Sequence, residues 1–306
     1  MNIWNHIQKV TDDKRQLYLL TVIASSGSAP GRRGFMMVVD NQDTLFGSIG
    51  GGIMEYNLVE QAKQLLASNK TTAFCSRQVH RGDAGDSSGM ICSGEQTIAF
   101  TPLSEMDKDL IMLCANASMI QITQEGIKPI NHDEAEKCEI KSETNWLYTQ
   151  LQKQSTTVHI FGAGHVSVPT CELLMKLDYQ VKLYDNRSDI NTLNDNTNVH
   201  SKHVIDYADV MASVNFNDND YAILMTHKFT EDKLILSQIL DVKLDYLGVL
   251  GSKNKIKVMF NALLNEGHKQ TRLDKVYAPI GLDIHSKTTE EIAVSIVAEI
   301  IKIKNN

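Results

Sequence analysis

Apolar residues along this chain come in two kinds of run. Short dense runs rich in β-branched and aromatic side chains, at residues 17–24, 35–40, 45–49, 71–79, 95–100, 221–225 and 246–250, predict strands. Longer stretches with apolar residues three and four positions apart predict helices. These cover residues 2–10, with Ile3, Ile7 and Val10 beside Trp4; 53–66, with Leu58, Ala62, Leu65 and Leu66; 107–122, with Leu110, Leu113, Cys114 and Ala117; and 231–240. A last helix opens with a capping box, Thr288 and Glu291 three positions on. Ile292, Ile296 and Ile300 follow, and its broad apolar side predicts core packing.

One run organises the second half. Residues 157–161 read as a buried strand that breaks into Gly162-Ala163-Gly164. A helix carrying Val166, Cys171, Leu173, Leu174 and Leu177 follows, then a strand over 180–184 ending at Asp185. This order opens a dinucleotide-binding unit: glycines let the backbone approach a pyrophosphate over the helix N-terminus, and an acid about 20 residues on holds a ribose hydroxyl. Asp185 stands 21 residues after Gly164. Ser167 replaces the third glycine, so either the helix sits further from the strand or the serine tucks against the turn. Later strands end at Thr226-His227 and Gly251-Ser252, which in a parallel sheet face the same crevice as Gly162 and His165. His165 and His227 are candidates for ligand contact or proton transfer, set against a plain role in turns. Lys253 and Lys255 either touch phosphate or solvate the helix end.

Two loops in the first half carry candidate chemistry. Arg32 and Arg33, in the glycine- and serine-rich loop 25–34, suit an anionic ligand, although turn arginines are often simply solvated. Gly50-Gly51-Gly52 separates a strand from a helix, and three consecutive glycines cost conformational entropy. Close backbone approach to a ligand or another segment is therefore favoured over a flexible connection, with the amides offering an anion cradle. Cys92, near a loop-to-strand corner, reads either as an accessible thiol able to ligate or transfer sulfur or as an inert small hydrophobe.

At 306 residues the chain is long for one core, which predicts two domains. The polar stretch 131–155 is the expected linker, giving an N-terminal mixed α/β domain over 1–140 and a C-terminal Rossmann-like doubly wound parallel-sheet domain over 155–306. A net charge of −7 without a basic run counts against nucleic-acid and membrane-surface partners. Five cysteines without a CxxC pair suggest neither a disulfide framework nor a zinc ribbon, and the scattered histidines fix no metal. With no leader pattern and no apolar run of spanning length, a cytoplasmic location is expected.

Taken together and in order, GSAPGRRG, LFGSIGGGIMEY, MICSG, HIFGAGHV, LYDNR, MTH, YLGVLGSKNK and APIGLDI resemble the xanthine dehydrogenase accessory protein (XdhC/CoxI) family over nearly the whole chain. The resemblance implies a maturation factor that binds the molybdenum cofactor, helps equip it with its terminal sulfur and delivers it to a xanthine-dehydrogenase-type client. A cysteine desulfurase partner and a homodimer are expected with it. Carried over by position, it implicates Gly27, Ser28, Pro30, Gly50, Gly51, Gly52, Glu55 and Cys92 in the first domain. In the second it implicates Gly162, Gly164, His165, Asp185, Arg187, Thr226, His227, Gly251, Ser252, Pro279, Gly281 and Asp283. Three positions depart from the family pattern: Gly31 follows the proline where an arginine is usual, Ser93 replaces the first glycine of C-G-G, and Ser167 replaces a Rossmann glycine.

The physical reading is compatible with this chemistry. A pterin phosphate needs amides and cations, which the glycine turns and Arg32 or Arg33 supply, and molybdenum is soft enough for the Cys92 thiolate. Two competing readings use the Rossmann site alone. One is an NAD(P)-dependent oxidoreductase with Asp185 on the ribose and His165 or His227 as acid or base; the other is a nucleotide sensor.

Overall fold

The computed structural model describes residues 3–80, 94–130, 135–152 and 156–305. They belong to two compact units, Met1–Gln154 and Ser155–Asn306.

The first unit opens with helix α1 (Ile3–Asp12) and strand β1 (Leu17–Gly27). Strands β2 (Met36–Asp40) and β3 (Leu45–Gly47), helix α2 (Gly52–Ala67), and strands β4 (Phe74–His80) and β5 (Gly94–Leu103) follow. The strands form an antiparallel sheet in the order β3-β2-β1-β5-β4. β1 is buried on both faces because its side chains alternate between two cores. Leu17, Leu19 and Ile23 pack with Trp4, Ile7 and Val10 of α1, while Tyr18, Leu20 and Val22 pack with Leu58, Val59 and Ala62 of α2. β1 runs three residues beyond the expected end, since Ser25, Ser26 and Gly27 pair with Gln96, Glu95 and Gly94.

Helix α3 (Lys108–Asn116) is shorter than the expected 107–122, because Ala117 turns extended and Met119–Thr123 forms strand β6. With β7 (Gly126–Ile130), β8 (Cys138–Ser142) and β9 (Asn145–Leu151) it builds a second antiparallel sheet, in the order β7-β6-β9-β8. Much of the expected linker is thus β8 and β9. Their polar composition reflects one-sided burial: Trp146 and Tyr148 enter the core shared with α1 and α3, whereas Glu139, Ile140, Lys141 and Ser142 are exposed.

The second unit is a five-stranded parallel sheet of β10 (Thr157–Phe161), β11 (Gln180–Asp185), β12 (Ser201–Val204), β13 (Tyr221–Leu224) and β14 (Tyr246–Val249), in the order β12-β11-β10-β13-β14. Helix α4 (Ser167–Lys176) and helix Thr289–Lys304 cover one face, with Cys171, Leu174, Ile296 and Ile300 against Val158, Ile160, Val181 and Leu183. Helices Phe229–Ile239 and Lys253–Asn265 cover the other, where Leu236, Ile239, Met259 and Leu263 meet Phe161, Leu224 and Val249. This is the Rossmann-like doubly wound sheet, with its change of winding direction between β10 and β13. Among the described residues, no helix is long and apolar enough to cross a membrane.

Candidate functional site

The glycine corner of the first unit is a meeting of backbones. A side chain at Gly50 would put its Cβ 2.4 Å from Gly31 N, and one at Gly31 would put its Cβ 2.2 Å from Ile49 O, so both positions require glycine. A Cβ on Gly94 would likewise lie 2.4 Å from Ala29 N. The close approach foreseen for these glycines is therefore, at Gly31, Gly50 and Gly94, an approach of the chain to itself. Gly51 differs: its φ is +76° and nothing lies within 4 Å of its missing side chain. Gly50, Gly51 and Gly52 all have positive φ.

The Ile49, Gly50 and Gly51 amides are already engaged. Glu55 Oε2, one turn into α2, accepts from Ile49 N at 2.8 Å, Gly51 N at 3.0 Å and the Ser48 hydroxyl at 2.8 Å. The Gly50 amide donates to that same hydroxyl at 3.1 Å. Burial pushes the Glu55 carboxyl up, but the hydroxyl and amide donors outweigh it and hold the group below the usual carboxylate range. The anion cradle expected at this turn therefore holds the chain's own carboxylate.

The two arginines diverge. Arg33 lies over the Tyr148 ring, 5.1 Å from its centroid, while the exposed Arg32 guanidinium has no hydrogen-bond or ion-pair partner among the described residues. Gly27 ends β1, and Ser28 and Pro30 belong to the loop packed on Gly94 and Gly50. Cys92 and Ser93 lie outside the described residues. Burial disarms the other thiols, pushing Cys75 up to about 11 and Cys114 and Cys171 up to about 12, and Cys138 is also raised.

In the second unit the turn after β10 sits where the sheet changes direction. Gly162, with φ +106°, touches the end of β13: a Cβ there would lie 2.4 Å from Met225 O. Gly164 faces open space and His165 is exposed. Ser167 takes the second of its two expected roles, fully buried with its hydroxyl donating to Gly164 O at 2.7 Å, so it closes the turn that a third glycine would have left to packing alone.

Asp185 is 1% exposed, and both its carboxylate oxygens are in use. Oδ2 accepts from Ala163 N at 2.7 Å and Arg187 Nη2 at 2.9 Å, and Oδ1 from Arg187 N at 3.0 Å and Arg187 Nε at 2.8 Å. Burial raises this carboxyl, but the Arg187 guanidinium and the two amides hold it below the usual range. The acid expected to hold a ribose hydroxyl is here an internal brace between the turn and the end of β11.

Thr226 follows the same design. Its amide donates to Oδ1 of the buried Asp232 at 2.9 Å, and its hydroxyl donates to Lys228 O at 2.9 Å. Burial pushes Asp232 up to about 6. Exposed His227 lies with Nδ1 3.4 Å from Glu231 Oε2, and Glu231 Oε1 accepts from Asn186 Nδ2 at 3.0 Å. These contacts bring His227 and the residue after Asp185 to one rim. Ser252 caps helix Lys253–Asn265 by accepting from Lys255 N at 3.3 Å, next to Gly251. Farther along, Gly281 donates to Glu299 Oε2 at 3.0 Å, Pro279 follows a cis peptide bond and Asp283 is exposed.

Sequence reasoning missed Glu231, Asp232, Ser48 and Gln96. An acidic pair in the first turn of helix Phe229–Ile239 was a usable signal for the first two. Gln96, 1% exposed, accepts from Gly31 N at 3.1 Å, a contact across 65 residues that left no local trace. Three cavities lie elsewhere: about 420 Å³ over β6–β9 beside Glu139 and Lys141, about 320 Å³ beside Leu17 and Leu103, and about 640 Å³ beside β14 at Lys243 and Arg272. None of these three is lined by an expected site residue.

Comparison with known proteins places this architecture. Residues 158–300 match the XdhC Rossmann domain and residues 11–78 match the XdhC and CoxI family, so both units carry models of one family. The chain is 22% identical to Escherichia coli YqeB over its full length and spans 47% of that longer protein. It is 23% identical to a probable xanthine dehydrogenase subunit of Bacillus subtilis, covering 99% of this chain and 98% of the relative. To the Escherichia coli molybdenum cofactor insertion chaperone PaoD it is 19% identical, over 94% and 83%. A solved structure described as a xanthine dehydrogenase from Bacillus halodurans shares the fold, with a TM-score of 0.77 at 22% identity and coverage of 100% and 96%. On models matched in both units, the chain belongs to the xanthine dehydrogenase accessory protein (XdhC/CoxI) family.

Proposed function

We propose that the chain is a maturation chaperone that binds the molybdenum cofactor as cargo, assists its sulfuration and delivers it to a xanthine-dehydrogenase-type molybdoenzyme. The observation carrying this reading is the alignment to an insertion chaperone over 94% of the chain, within a family matched in both units. The physical support is a corner of converging amides that donate to a carboxylate oxygen, with Arg32, whose guanidinium has no partner among the described residues, in the adjoining loop: donors suited to the phosphate of a pterin cofactor. Cys92 is the thiol this reading assigns to the sulfuration step, as the family resemblance implies; burial raises the four described thiols. A cysteine desulfurase as sulfur source, a homodimeric state and a cytoplasmic location belong to the same proposal.

The oxidoreductase and sensor readings lose support at Asp185, whose carboxylate is buried and committed to Ala163 and Arg187. The test is to express a cofactor-dependent xanthine-dehydrogenase-type client with and without this chain. The proposal expects the client purified without it to carry less molybdenum and less terminal sulfur. Equal loading in both preparations would overturn it.

A further inference from the structure

Three strand-to-helix turns hold a carboxylate against their amides, and one of the three is built differently. Asp185 and Asp232 are 1% and 5% exposed and sealed among core residues. Glu55 is only half-buried, stands at the rim beside the exposed Ser48, and faces Gly51, whose surroundings are open. Directly or through Ser48, the amides of Ile49, Gly50 and Gly51 all end on a single oxygen, Glu55 Oε2.

A second, independent observation lies beneath this corner. Gln96 is 1% exposed and its Oε1 accepts from Gly31 N, which places the carboxamide in the seam where Gly31 meets Ile49 and Gly50. Its Nε2 is a buried donor with no partner among the described residues. Buried donors are seldom left without an acceptor, and this one belongs to the side chain that holds Gly31 against the turn. The Arg32 guanidinium, one residue beyond Gly31, is likewise without a partner among the described residues.

We propose that Glu55 is a built-in occupant of this cradle that a phosphate group on the ligand displaces, so that Glu55 sets the affinity of the corner. The inference rests on the cargo reading for the identity of the ligand, not for the existence of the cradle. Exchange costs few contacts: a phosphate oxygen takes over the Ile49 and Gly51 amides, while Glu55 swings into solvent from the first turn of α2. The carboxylate keeps the bare corner from holding stray anions, and the ligand must outcompete it.

The probe is inorganic phosphate, titrated into the full-length protein and followed by calorimetry and by the backbone amide resonances of Ile49, Gly50 and Gly51. Glu55→Ala should bind phosphate about tenfold more tightly than the wild type, and Glu55→Gln, which keeps the side chain's shape, by a few-fold. In both variants the three amide resonances should move on titration. Equal affinity in wild type and both variants, or resonances in residues 48–52 that stay fixed, would overturn the proposal.

Competition then separates the two sources of a phosphate. Displacement of phosphate from Glu55→Ala by released molybdopterin but not by AMP supports both the cradle and its cargo. Displacement by AMP alone supports the cradle and removes the cargo reading.

Discussion

Arg187 grips Asp185 with two parallel hydrogen bonds, Nε to Oδ1 at 2.8 Å and Nη2 to Oδ2 at 2.9 Å. The pair joins the end of β11 to the turn after β10, because Asp185 also accepts the Ala163 amide. Arg187→Ala leaves a carboxylate that is 1% exposed with only amide donors. The expected loss is about 2 kcal/mol, below the full cost of breaking a buried pair because Arg187 is partly exposed. Arg187→Lys should not restore it, since one ammonium cannot reproduce the fork. Chemical denaturation of the two variants checks this; full stability in Arg187→Lys would contradict it.

Gly31 and Gly51 should fail differently when given a side chain. At Gly31 a Cβ would meet Ile49 O and Gln96 Oε1 at 2.2 and 2.6 Å, so Gly31→Ala must push the loop away from the turn before α2 and cost about 2 kcal/mol or more. At Gly51 there is room, but φ +76° with ψ −175° is backbone essentially reserved for glycine, so Gly51→Ala bears about 1–3 kcal/mol of strain without a clash. Both urea midpoints should fall, and only Gly31→Ala should also move the Gln96 side-chain amide resonances. Gln96 resonances left in place by Gly31→Ala would mean that the loop and the turn do not pack as described.

These contrasts show how much of the molecule the sequence made legible. The Rossmann unit was readable because its signal is local: β10, the turn Gly162–Gly164, α4 and β11 lie within 30 residues, and each announces itself by its own pattern. The sheet β6–β9 was not. Met119–Thr123 continues the apolar spacing of α3, and β8 is exposed along nearly its whole length, so its residues carry the polarity of a linker. The glycine corner was recognised as a place of close approach, but its occupant was not. Whether Glu55 turns back onto Ile49 and Gly51 depends on three successive positive φ angles, which composition alone does not specify.

Asp232 should give the second unit an unusual pH dependence. Its folded value, about 6, lies above the 3.8 of an unperturbed group, so the folded state holds the proton more tightly. The stability it contributes is full below about pH 4 and is lost as pH rises through about 6, a change of about 3 kcal/mol. Asp185, held below its usual range, acts in the opposite sense and loses its contribution only at lower pH. Asp232→Asn keeps an oxygen for the Thr226 amide and removes the charge. Subtracting its stability-versus-pH curve from that of the wild type should leave a decline between about pH 4 and 6; a flat difference would contradict the burial of this carboxylate.

The proposed function requires this protein to hold a molybdenum cofactor. Purified protein mixed with cofactor released from a molybdoenzyme, then passed over a desalting column, should retain about one molybdenum and one pterin per chain, measured by mass spectrometry and pterin fluorescence. The retained material should restore activity to a cofactor-free xanthine-dehydrogenase-type enzyme. Molybdenum and pterin that elute with the salt, as they do with an unrelated protein of similar charge, would contradict the account.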